Sequence, residues 1–136
     1  LVFTFAGGAI DFKSKLQPTV ATSSTEAEFI AAVHAAKIAK YLCSVLAELG
    51  FPQTKPTLLH EDNQAAIAMI NEQKPMPRSR HIDIQYFAIQ EWRQRGIIEM
   101  CHIPGVINPA DQGTKALGWT LHSRHAWRAM GHHRPY

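Results

Sequence analysis

The chain is poor in cysteine: its two, Cys43 and Cys101, lie far apart and follow neither a ligand nor a redox spacing. That argues against a disulfide-stapled scaffold, a thiolate metal cage and a dithiol centre, and it favours a reducing compartment. No uninterrupted apolar run is long enough to cross a bilayer, and Leu1-Val2-Phe3-Thr4-Phe5 lacks the basic flank and length of a signal peptide, so a soluble protein without a membrane partner is expected. Internal repeats and low-complexity tracts are also missing. With 136 residues, 46% of them hydrophobic, there is material for one core. The charge is nearly balanced: +3 overall with a pI near 9.0, which permits a polyanionic partner without demanding one. The initiator Met is absent and the first residues are strand-like, so the expectation is a start cut from something longer.

What is present alternates between strand and helix patterns. Leu1 to Phe5 and Ala9 to Lys13, joined at Ala6-Gly7-Gly8, read as a hairpin. Ser23-Ser24-Thr25 with Glu26 and Glu28 forms two overlapping capping boxes. They head a long helix whose apolar face runs from Ala27 to Leu49 and which Gly50 and Pro52 stop. Thr57-Leu58-Leu59 reads as a buried strand, and Asn63 as the cap of a helix over Ala65 to Ile70. Lys74-Pro75-Met76-Pro77-Arg78-Ser79-Arg80 is a proline-broken basic loop before a helix from Ile82 to Arg95. Ile97 to Ile103 is a strand candidate, and Asn108-Pro109-Ala110-Asp111 opens a helix that closes at Ala116-Leu117-Gly118. From Trp119 onward the chain is rich in His, Arg and Trp and weakly patterned, a basic tail. This order argues for an α/β domain, a mixed sheet covered by helices.

Three acids sit at element ends: Glu28 in the first turn of the long helix, Asp62 after the Thr57 strand and Asp111 at the start of the last helix, with Glu61 as a spare. Hard divalent cations take such carboxylates together with water and substrate phosphate, and two ions about 3.5–4 Å apart activate water against a phosphodiester. The competing reading is ordinary: acids early in a helix are favoured by capping and by the macrodipole. Lys13, Lys15, Arg78 and Arg80 either track phosphates or form solvated basic loops. His102, near Asp111 in sequence, is a candidate acid or base. The tail histidines His122, His125, His132 and His133 lack the companions of a zinc site.

Several stretches together resemble the ribonuclease H domain that ends the polyprotein of copia-type LTR retrotransposons. They are Phe12 to Gln17, Thr19 to Phe29 with Ser23-Ser24-Thr25-Glu26-Ala27-Glu28, Glu61-Asp62-Asn63-Gln64-Ala65-Ala66-Ile67, Ser79-Arg80-His81-Ile82-Asp83-Ile84-Gln85-Tyr86, and Asn108-Pro109-Ala110-Asp111-Gln112-Gly113-Thr114-Lys115-Ala116-Leu117. The resemblance covers residues 1 to 118, leaving 119–136 as the tail. It implies a ribonuclease H-like fold, a five-stranded mixed sheet of order 3-2-1-4-5 flanked by helices. It also implies Mg²⁺-dependent hydrolysis of the RNA strand of an RNA–DNA hybrid, with Glu28, Asp62 and Asp111 holding two ions. Lys13, Lys15, Arg78 and Arg80 would contact the hybrid, and the upstream reverse transcriptase segment of the same polyprotein would be a partner. The place implied is intracellular, cytoplasmic or nuclear, including virus-like particles. The family's first, central strand, which carries another catalytic Asp, has no counterpart here, so this chain is expected to be an impaired nuclease. A non-catalytic remnant with weak nucleic-acid binding and a structural interaction module are the alternatives.

Overall fold

The structure, a computed structural model, describes residues 1–14, 23–71, 80–113 and 116–132. The chain divides into two compact units, Leu1–Pro18 with Ile103–Tyr136, and Thr19–His102.

The larger unit is built on α1 (Ser24–Glu48), β3 (Thr57–Glu61), α2 (Gln64–Asn71), α3 (Arg80–Gln94) and β4 (Ile98–His102). Ser23 caps α1 by accepting a hydrogen bond from the Glu26 backbone N–H at 3.1 Å, which satisfies one of the amides a helix start leaves over. The buried row of α1 consists of Phe29, Ala32, Val33, Ala35, Ala36 and Ala39, small residues that let neighbouring elements approach closely. Phe29 meets Tyr86 of α3 with ring centroids 6.3 Å apart, and Lys40 stands 4.5 Å over the Trp92 ring. Contrary to the reading of apolar runs, α1 has the length and mean hydropathy, 1.5, of a bilayer-crossing segment. Glu26, Glu28, Lys37 and Lys40 interrupt the run and so hid it; the packed row toward α2, α3 and β3 makes α1 a core helix.

β3 and β4 pair in parallel, from Thr57 opposite Ile98 to Glu61 opposite His102. Parallel neighbours need a long crossover, and α2 and α3 supply it. Leu59, Glu61 and Ile98 are buried, whereas Leu58 is 52% exposed on the other face. Among the described residues no strand pairs with the second edge of β3.

The smaller unit opens with β1 (Val2–Phe5) and β2 (Gly8–Phe12), an antiparallel hairpin. Its two-residue turn sets Ala6 at φ 50 and Gly7 at φ 88, the sign that primed hairpin turns require. Lys13 and Leu1 exchange two main-chain hydrogen bonds that prolong the ladder. The described strands therefore form two two-stranded sheets, β1-β2 and β3-β4, in place of the single mixed sheet expected.

Two expectations are corrected in the remainder of this unit. The helix expected from Asn108 to Leu117 is instead a pair of 3-10 turns, Gly105–Ile107 and Pro109–Gly113. Asn108 between them is extended, and Pro109 and Gly113 bracket too few residues to nucleate an α-helix. The stretch read as an unpatterned tail contains α4 (Trp119–Ala129), whose fully buried side chain is His125. A helix that turns a histidine and alanines inward gives little apolar periodicity to read.

Both long helices of the larger unit end in the same way. Gly50 N–H reaches Ala47 O and Phe51 N–H reaches Leu46 O, while Gly96 N–H reaches Arg93 O and Ile97 N–H reaches Trp92 O, two Schellman closures. Gly50 has φ +90, and a Cβ added there meets nothing within 4 Å, so the cost of a side chain is that of the backbone alone. Gly50→Ala is expected to destabilise by about 1–2 kcal/mol, a fall in Tm on the order of 5 °C by calorimetry; an unchanged Tm would refute this account of the helix end.

Candidate functional site

The chemistry-bearing side chains of the larger unit meet at the carboxyl end of β3. Strand alternation from the buried Leu59 turns Glu61 inward, and Asp62 begins the turn into α2. That turn is held on both sides. Glu61 Oε1 accepts from Asn63 N–H at 3.0 Å, and Asn63 Oδ1 accepts from Ala66 N–H at 3.1 Å, capping α2 as the sequence predicts. Asp62 is thus carried on a short segment with little conformational freedom, and it is half-buried.

Glu28, on α1, acts on Glu61 through its charge. It lies one turn deeper than expected, because the helix starts from the Ser23 cap and Glu26 is the acid of the first turn. The capping account therefore fits Glu26 and does not explain Glu28. The macrodipole argument also fades beyond the first turn.

Glu61, read from sequence as a spare, is a strongly perturbed acid. It is 8% exposed, and its pKa is pushed up to about 7. Burial is the largest cause. The Glu28 and Asp62 charges and a hydrogen bond from protonated Glu61 to Asp62 act in the same direction, against the lowering effect of the Asn63 amide. Period-two alternation from Leu59 was the signal in the sequence that could have marked it. His102 is opposite Glu61 in the parallel register, and it is exposed.

Asp111 belongs to the smaller unit. It sits in the 3-10 turn Pro109–Gly113, whose start Asn108 secures by accepting the Ala110 N–H at 3.1 Å. There it acts electrostatically on His125, whose pKa burial lowers together with the Arg128, Arg124 and His122 charges, Asp111 opposing them. Lys13 is half-buried at the hairpin end and its backbone closes the ladder. Arg80 begins α3, while Lys15 and Arg78 lie outside the described residues. Among the described residues, no three His, Cys, Asp or Glu side chains gather closely enough to hold a metal ion.

The raised Glu61 value fixes the sign of one pH effect. The folded state holds the Glu61 proton more tightly than the unfolded state, so this group's contribution is complete below about pH 4.5 and is lost as pH rises through about 7. Above that window the buried carboxylate is ionised at a cost to stability. Glu61→Gln keeps an acceptor for Asn63 N–H and has no charge to bury. Its Tm advantage over the unaltered chain should grow between pH 5 and pH 8; an advantage independent of pH would contradict the assignment.

Comparison with known proteins finds similarity to transposon polyproteins. It is 40% identical over 116 residues, 85% of its length, to the retrovirus-related Pol polyprotein from transposon TNT 1-94 of Nicotiana tabacum. It is 33% and 32% identical to those from transposons RE1 and RE2 of Arabidopsis thaliana, over 82% and 79% of its length. The matched part is 9%, 8% and 7% of those proteins, so the chain spans less than a tenth of each relative. No family model and no solved structure matches. The chain is homologous to a segment of the retrovirus-related Pol polyproteins of plant transposons.

Proposed function

We propose that this segment is a ribonuclease H-like domain that hydrolyses the RNA strand of RNA–DNA hybrids within such a polyprotein, and that it is an impaired nuclease as it stands. The observation that carries the reading is the buried Glu61 at the end of β3, whose carboxyl feels the charges of Glu28 on α1 and of its neighbour Asp62. Crowded carboxylates that force one of their number to keep its proton are an environment that a divalent cation relieves. The donor set is all oxygen, which suits Mg²⁺, and one or two protein carboxylates commonly suffice beside water and phosphate.

In this reading Glu28 and Asp62 would hold Mg²⁺, and the family resemblance adds Asp111 to that set. When bound, a pair of Mg²⁺ ions supplies a nucleophilic hydroxide at neutral pH and stabilises the departing oxygen. The chain's own residues orient and exclude. The Asn63-capped turn fixes Asp62, and Glu61 fills the space behind it with a group that keeps its proton near neutrality. Lys13, Lys15, Arg78 and Arg80 would meet the phosphates of the hybrid and set its register without reading sequence. Among the described residues the second edge of β3 has no partner strand, which leaves room in this reading for a further strand that would bring another carboxylate. The lack of a three-residue metal cage among the described residues favours weak activity, or a remnant that only binds, over a complete enzyme.

A labelled RNA–DNA hybrid incubated with the chain and Mg²⁺ should be cut slowly, and Asp62→Asn and Glu28→Gln should each reduce that rate by about 100-fold or more. Rapid cleavage that survives Asp62→Asn would overturn the assignment of the site.

A further inference from the structure

Residues 119–136 contain Arg124, Arg128 and Arg134 and no Asp or Glu, whereas the preceding 118 residues balance 11 Lys and Arg against 11 Asp and Glu. The whole +3 excess is thus carried by one short stretch. Its described part is α4 and the two residues after Met130, and the helix orients its charge. His125 is fully buried on the inward side, where α4 packs against the Pro109–Gly113 turn and β2. Helical phasing from His125 sends Trp119, Thr120, Arg124, Trp127 and Met130 to the opposite arc, and all five are exposed. Trp119 is 84% exposed and Trp127 39%.

Both indoles offer flat ring faces on which a base can stack. They stand about 12 Å apart along the axis, from their eight-residue separation. Arg124 lies between them in sequence, and His132 packs edge-on to Trp127 at 4.8 Å. Arg128 is tied back to the body, its Nη1 donating to Ile107 O at 3.5 Å, so Arg124 is the cation of the outer face.

We propose that the outer face of α4 binds single-stranded nucleic acid, with bases stacking on Trp119 and Trp127 and phosphates meeting Arg124 and the positive charge around it. Aromatic platforms beside a guanidinium recognise a strand whose bases are free to stack, whatever its sequence. A lipid surface is the lesser fit. An interfacial helix buries a continuous apolar side, and here the guanidinium of Arg124 shares the face with the indoles. This surface uses none of Glu28, Asp62 or Asp111, and it stands whether or not the chain cuts hybrids.

The test is fluorescence anisotropy of a labelled oligodeoxythymidine titrated with the full chain. Binding should weaken linearly in log affinity against log salt. The Trp119→Ala/Arg124→Ala variant, altered only at exposed positions, should bind about ten-fold more weakly or worse with an unchanged Tm. Trp119→Phe, which keeps a ring, should retain most of the affinity. No binding by the unaltered chain, equal binding by the double variant, or capture by anionic phospholipid vesicles without capture by the oligonucleotide would each overturn the proposal.

Discussion

The larger unit is organised by a conflict of like charges. Folding draws Glu61 into the core at the end of β3, where the charges of Glu28 and Asp62 bear on it. The chain settles part of that conflict by leaving a proton on Glu61. It settles another part with hydrogen bonds, the Asn63 amide to Glu61 and the Asn63 side chain to Ala66. Sites that gather repulsion and spend capping groups to maintain it are uneconomical as pure architecture, which is why this corner draws functional interest.

The supporting scaffold makes sense in the same terms. A parallel pair cannot be built from a hairpin, so β3 and β4 must be joined across α2 and α3. The long α1 then packs over them through alanines and Phe29. Alanine suits the position, for it has the best helix propensity and lets backbones come close. The carboxylates are held at the strand's carboxyl end, where open α/β sheets tend to place their ligands.

Much of this was legible in the residues, and the failures have physical causes. The capping serine of α1, the glycine that ends it, the hairpin turn and the Asn63 cap are local effects, decided within a few residues, and sequence reads those well. Glu28 was put in the first turn because two capping boxes overlap, and only the packed structure chooses Ser23 as the cap. Asp111 was expected on an α-helix, but Pro109 and Gly113 leave it on a tight turn. α4 was missed because its inward side chain is a histidine, so burial there runs against residue type. Glu61 was undervalued for the same reason: a carboxyl beside Leu59 on the inner face looks like an error of pattern until its proton is counted.

The second edge of β3 has a meaning for how such a piece of polyprotein lives once separated from its surroundings. Thr57 to Glu61 contain neither proline nor lysine, and no bulge interrupts their pairing with β4, so the inward carboxyl of Glu61 is the one edge-protecting feature the strand itself carries. Leu58 adds an apolar side chain in the open. A template of that kind recruits any extended chain nearby, including its own kind. Colloidal behaviour, more than chemistry, would then set how long such a chain persists in isolation.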